Sequence, residues 1–222
     1  MWKIKICGIT SPKDALLAAE CGADAIGLNF CPASPRCIAP ELARDIVRVL
    51  PSQIKAVGVF VNAWPAEILS LQSQVGLHGI QLHGDEPVEL LTELTGGMSQ
   101  PIPIVRALRS RRADLSDLYE YLQSCAVKSV PLAAVLLDAY HRGAYGGTGQ
   151  AVDWQAVRQH RLQLCGLPLI LAGGLNPENV AAAIQAAAPD GVDVASGVEI
   201  SPGKKSPDLM RRFITAAQAA WK

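Results

Sequence analysis

The chain has no excess of either charge: 20 lysines and arginines are matched by 20 aspartates and glutamates, and no stretch gathers one sign. This removes the electrostatic footprint of a nucleic-acid binder and points to a small-molecule partner. No apolar run reaches the roughly 18 residues that a membrane span needs, and the first strand carries charge where a secretory leader carries an apolar core. A cytoplasmic protein with neither nucleic-acid nor membrane partners is expected. The six cysteines, at positions 7, 21, 31, 37, 125 and 165, form no C-x-x-C pair and no Cys/His cluster at zinc spacing, so no metal site is expected. A disulfide framework is not needed either, because 222 residues, half of them hydrophobic, can bury a substantial core. Nucleotide signatures are also missing. "CGITSPKD" is not a dinucleotide fingerprint, and "GGTG" lacks the lysine that would make it a P-loop.

What is present is alternation. Short β-branched or apolar runs recur along the chain: "KIKIC" from 3, "DAIGLNF" from 24, "KAVGVFV" from 55, "GIQLH" from 79, "PIVRAL" from 103, "AAVLLD" from 133, "PLILA" from 168 and "GVDVAS" from 191. Helical patterns lie between and after them, at 11–21, 40–50, 65–75, 86–95, about 114–123, 154–163, 177–187 and 207–220. Ser11-Pro12, Asn176-Pro177 and Ser206-Pro207 each supply an N-cap acceptor followed by a proline whose missing N–H costs nothing at a helix start. Strict βα alternation gives parallel strands joined by right-handed crossovers. Eight such units favour a single (β/α)8 TIM barrel domain spanning residues 1–222. The alternative, an open doubly wound sheet, wants the glycine-rich first turn that is missing.

In such barrels the chemistry sits at the C-terminal ends of the strands. Those positions hold Cys7, Asn29, Val61-Asn62, His83, Arg106, Asp138, Gly173-Gly174 and Ser196-Gly197. "LAGGLNPENV" after the seventh strand and "ASGVE" after the eighth put Gly173, Gly174, Ser196 and Gly197 where backbone N–H groups can approach an anion, at a corner where barrels often bind phosphate. Tight turns alone would also use these glycines. Two adjacent loops of this kind favour a phosphorylated substrate.

Cys7 reads either as a small buried hydrophobe or as a thiolate base. Asp138, after five apolar residues, reads either as a cap starting a long loop or as a partly desolvated proton donor. Together they would make an acid and base pair that needs no cofactor. Strand parity adds that, if Cys7 points into the mouth, Lys5 points into the barrel beneath it. There it needs an anion, for which Asp193 on the eighth strand is the candidate, and it would favour the Cys7 thiolate. The other parity turns Lys3 and Lys5 to solvent. Arg36 in "CPASPRCI", a loop that Pro32 and Pro35 restrict, either clamps a carboxylate or is a solvated loop arginine. His83 in "LHGDEP" either donates to a substrate hydroxyl or caps and packs. The glycine-rich stretch 138–154 has the composition of a mobile lid.

As a set, "KICGIT", "ADAIGLNF" followed by "SPR", "GVFVN", "IQLHGDE", "LLDA…GGTG…DW", "LAGGLNPENV" and "VDVASGVE…SPGKKS" resemble the phosphoribosylanthranilate isomerases over nearly the whole chain. The resemblance implies a cofactor-free Amadori rearrangement of a phosphoribosyl aryl amine in tryptophan biosynthesis. It implies Cys7 as the base at C2′, Asp138 as the acid at the furanose oxygen, Arg36 at the anthranilate carboxylate, Asp193 on the sugar side and the last two loops at the phosphate. Histidine-pathway isomerases, metal-dependent epimerases and a non-catalytic phosphosugar-binding protein are the rival readings. Cys7 and Arg106 in place of strand-end aspartates, His83 as the lone placed histidine, and Cys7, Asp138 and Arg36 occurring together weigh against them in turn. The sequence leaves open whether the chain is a monomer or a homodimer.

Overall fold

The computed structural model describes residues 1–109, 116–138, 154–159 and 161–222. The interior of the predicted lid, 139–153, and the first residues of the helix expected from about 114 lie outside the described residues. Eight parallel strands close into a barrel in chain order, the last pairing back to the first. They are β1 (Ile4–Cys7), β2 (Ala25–Asn29), β3 (Lys55–Phe60), β4 (Gly79–Leu82), β5 (Ile104–Arg109), β6 (Ala134–Asp138), β7 (Leu169–Leu171) and β8 (Gly191–Val194). The helices around them are α1 (Pro12–Cys21), α2 (Pro40–Val49), α3 (Pro65–Val75), α4 (Val88–Gly97), α5 (Ser116–Val127), α6 (Trp154–Gln159), α7 (Val180–Ala187) and α8 (Pro207–Ala220). Two 3₁₀ turns, Arg161–Leu164 and Ser196–Val198, and a small hairpin of β9 (Glu199–Ser201) and β10 (Lys204–Lys205) complete the described elements.

The helix starts follow local chemistry. Ser11 accepts from the Asp14 amide and Ser206 from the Leu209 amide, each followed by proline. Asn176 also caps, accepting from the Glu178 and Asn179 amides, but the turn it starts is tight: Asn179 N bonds back to Asn176 O. Regular helix therefore begins at Val180 rather than 177. α4 begins at Val88 rather than 86 because the Glu86 side chain is drawn inward to Arg106.

Alternation along the strands sorts the core into two shells. Ile4, Ile6, Ile26, Leu28, Ile80, Leu82, Val135 and Leu137 belong to the outer one, which packs against the helices. Ala25, Val57, Val105, Ala107, Ala134, Leu136, Ile170 and Ala172 fill the inside together with Trp2. Small and β-branched residues dominate there, as the narrow interior of an eight-stranded barrel requires. The same parity corrects one strand-end assignment. Arg106 is not at the mouth: β5 runs on to Arg109, which is the register partner of Asp138. Arg106, three residues earlier, faces the helix layer and is buried against Glu86 at 2.6 Å and the ring of Tyr121 at 4.9 Å.

Candidate active site

The barrel mouth holds a cleft of about 730 Å³, part of it open solvent, lined by Cys7, Arg36, His83, Asp138, Asp193, Gly173, Gly174 and Ser196. Eight of the nine site residues read from the sequence therefore meet in one place. The ninth, Gly197, follows the lining residue Ser196 in the 3₁₀ turn after β8, where a Cβ would overlap the Leu175 carbonyl oxygen. Its lack of a side chain lets the loops after β7 and β8 close on each other. Gly173 and Gly174 have φ of 82° and 67°, the left-handed region that glycine enters without strain.

Cys7 ends β1 beside Gly27 of β2, where a Cβ would come within 2.6 Å of the Cys7 sulfur. The glycine thus makes the space the thiol occupies. Beneath it Lys5 is fully buried, 2.7 Å from Asp193 on the neighbouring strand, so the parity that sends Lys5 inward is the observed one. Burial works against the Lys5 ammonium, but Asp193 and Cys7 more than offset it, and its pKa lies above the ordinary lysine value. Burial also pushes the Cys7 thiol up. Lys5 pulls it down by a smaller amount, so the resting group is a thiol. The thiolate expected from the sequence is favoured by Lys5 in direction but outweighed by desolvation.

Arg36 is neither free nor solvated. Its Nε and Nη2 donate to the two carboxylate oxygens of Glu199 at 2.8 and 2.6 Å, and its aliphatic stem lies against Gly8. Glu199 also accepts from Lys205 Nζ at 2.7 Å, and that ammonium donates to the Ala195 carbonyl. Although burial acts to raise it, the Glu199 carboxyl is held below the usual value by Arg36 and Lys205. Burial draws Lys205 below the ordinary lysine value against the pull of Glu199. The hairpin that carries these two residues is tied to the loop after β1 by the Thr10 hydroxyl, which donates to the Gly203 carbonyl. The fork occupies one edge of the guanidinium, leaving Nη1 outside it.

Across the cleft, His83 Nε2 lies 3.0 Å from Asp138 Oδ2, and its Nδ1 lies 2.9 Å from Nε2 of the fully buried Gln81. His83 is fixed from below by its neighbours. Glu86 Oε1 accepts from the amides of Asn62 and Gly84, and Arg106 bonds the Leu82 and Gly84 carbonyls. Glu199, Lys205, Gln81 and the Glu86–Arg106 pair are the contributors that the sequence reading missed. Gln81 alone had a local signal, since "IQLH" alternates and puts Gln81 on the face of His83.

A family profile described as N-(5′-phosphoribosyl)anthranilate (PRA) isomerase matches residues 4–216. The chain belongs to this isomerase family. An N-(5′-phosphoribosyl)anthranilate isomerase from Rubrobacter xylanophilus is 46% identical over 221 residues, 99% of this chain and 100% of the relative. Among solved structures, the phosphoribosyl anthranilate isomerase of Thermotoga maritima superposes with a TM-score of 0.83 at 40% identity, over 99% of this chain and 100% of that one. An isomerase solved in complex with reduced 1-(o-carboxyphenylamino)-1-deoxyribulose 5-phosphate gives 0.80 at 39% identity, with the same coverage. The family's barrel and the closed barrel described above agree.

Proposed function

We propose that this cleft isomerises N-(5′-phosphoribosyl)anthranilate to 1-(2-carboxyphenylamino)-1-deoxyribulose 5-phosphate, an aldose–ketose conversion of tryptophan biosynthesis, with Cys7 as general base and Asp138 as general acid. The observation that carries the reading is that Cys7 and Asp138 open onto the same cleft from β1 and β6. Asp138 gives a proton to the furanose oxygen as the C1′–O bond breaks and the aryl amine lone pair forms the C1′–N double bond. Cys7, ionised with help from the Lys5 ammonium, then takes the C2′ proton to give the enolamine, which passes to the ketone when C1′ is protonated and the 2′-hydroxyl loses its proton. Each of the two proton transfers is of a kind that contributes about 10²- to 10⁴-fold.

Nη1 of Arg36 receives the anthranilate carboxylate, and the Glu199 fork keeps the guanidinium from turning away. Asp193 Oδ1 is committed to Lys5, which leaves Oδ2 for a sugar hydroxyl. His83 lines the sugar side while orienting Asp138. The phosphate lies against the amides of Gly173, Gly174, Ser196 and Gly197. The barrel acts as one domain over 1–222, in the cytoplasm, without a cofactor, as a monomer or homodimer. Turnover tests this reading: phosphoribosylanthranilate is generated in situ and the loss of its fluorescence is followed on adding wild type, Cys7→Ser or Asp138→Asn. A drop of about 10²-fold or more in both variants, with product still bound, is expected. Binding without turnover in the wild type would overturn it in favour of a phosphosugar-binding protein.

A further inference from the structure

Gln81 sits within β4 opposite Val59 of β3 and Val105 of β5, and it faces the barrel interior with His83. Its carboxamide is buried in a layer of aliphatic side chains. One end, Nε2, meets His83 Nδ1 at 2.9 Å. The other, Oε1, is buried and has no hydrogen-bond partner among the described residues. A bare amide oxygen in such surroundings is unfavourable. Turning the amide over merely exchanges a bare acceptor for a bare donor, so its far side anchors neither orientation and the imidazole decides.

An amide has one donating and one accepting end, and Nδ1 must complement whichever end it meets. With Nε2 toward the ring, Nδ1 accepts, the neutral imidazole carries its proton on Nε2, and it donates to an Asp138 carboxylate. With Oε1 toward the ring, Nδ1–H donates, and the 3.0 Å contact between His83 Nε2 and Asp138 Oδ2 holds one further proton. We propose that Gln81 is a positioning residue for the acid step: with Oε1 toward His83 it keeps the His83–Asp138 pair loaded with the proton that Asp138 delivers. When that proton passes to the furanose oxygen the pair is one proton short. The amide then turns Nε2 to the ring until water reloads the pair. The inference rests on Asp138 being the acid of the isomerase reading.

Among the described residues, the charged and titratable groups that share the cleft with the pair are Cys7 of β1, Arg36 after β2 and Asp193 of β8, with Lys5 beneath Cys7 and paired to Asp193. Two variants leave all of these in place and change the amide alone. Gln81→Glu, ionised by its pairing with the imidazolium, accepts from Nδ1–H, so the pair stays loaded and the basic limb of the kcat profile moves to higher pH. Gln81→Met offers only a weak thioether acceptor, so the pair unloads earlier and the limb moves to lower pH. Each displacement is expected to be about one pH unit, a tenfold change in proton affinity. In ¹⁵N-histidine spectra, where only four histidines contribute, Gln81→Met removes the proton from His83 Nδ1 and leaves the one on Nε2 that faces Asp138. Profiles that superimpose on wild type, limbs that move the same way, or a His83 Nδ1 that keeps its proton in Gln81→Met would overturn the proposal. Asp138→Asn run alongside separates the two levels: full activity there would remove the acid assignment itself.

Discussion

The wall of the cleft built from β1, β8 and the loop after β2 holds its groups with ion pairs, Lys5 to Asp193 at 2.7 Å and Arg36 to Glu199 at 2.6 Å. The wall built from β4 and β6 holds its groups through Gln81, His83 and Asp138, with hydrogen bonds of 2.9 and 3.0 Å whose protons have more than one place to sit. The difference matches the two tasks proposed for these walls. A base buried in a barrel needs a fixed cation to offset the desolvation of its thiolate. A guanidinium that receives a carboxylate needs a fixed direction. An acid must hold a proton and then release it, which fixed charges of one sign would oppose. In the proposed mechanism the ion-paired wall supplies field and geometry, and the hydrogen-bonded wall supplies a movable proton.

The comparison breaks most severely at Lys5. Lys5→Met leaves Asp193 buried without its partner, which typically costs about 3–5 kcal/mol of stability, measurable by denaturant unfolding. The same variant should move alkylation of Cys7 to higher pH, because the cation that lowers its pKa is gone. An unchanged alkylation profile would show that the ion pair serves folding only. Next comes Gly27→Ala, which places a methyl group 2.6 Å from the Cys7 sulfur. Misplacing a reacting group by about 1 Å costs on the order of 10² in rate, so kcat should fall by about that factor with the acid wall untouched.

Glu199→Gln loosens the direction of Arg36 without removing it. KM should rise about tenfold, the equivalent of one charge-assisted hydrogen bond, while kcat and its basic limb stay in place. The smallest effect is in acid. Because Arg36 and Lys205 hold the Glu199 carboxyl below its ordinary 4.5, its contribution to stability is complete above that value and disappears as the pH falls through the lowered pKa. Glu199→Gln should therefore flatten the stability curve below about pH 4.5, as read by urea unfolding at stepped pH.

The barrel was legible because its determinants are local. The alternation of β-branched runs with helical patterns, and the Ser-Pro starts of α1 and α8, are properties of neighbouring residues. Parity carried the reading inward as far as Lys5 and Asp193, because two residues on one strand face share an environment and adjacent strands share a register. The same argument was available for Gln81, two residues before His83. It fails for Arg106, because β5, IVRALR, carries arginines at both 106 and 109, and the strand pattern alone does not say which one ends at the mouth. It had no purchase on Glu199 and Lys205, whose partners include an arginine 163 residues away and whose pairing depends on how the hairpin after β8 folds back over the mouth. Arg36 illustrates the limit. Its prolines suggested a held guanidinium, but what holds it is a carboxylate from the other end of the chain.

The division of labour between the walls is tested most directly by a kinetic isotope effect with substrate deuterated at C2′. With the base wall crippled in Cys7→Ser, removal of the C2′ proton limits the rate and a full primary isotope effect appears. With the acid wall crippled in Asp138→Asn, ring opening limits the rate and the isotope effect vanishes. A large effect in Asp138→Asn and none in Cys7→Ser would mean that the two residues have been given each other's tasks.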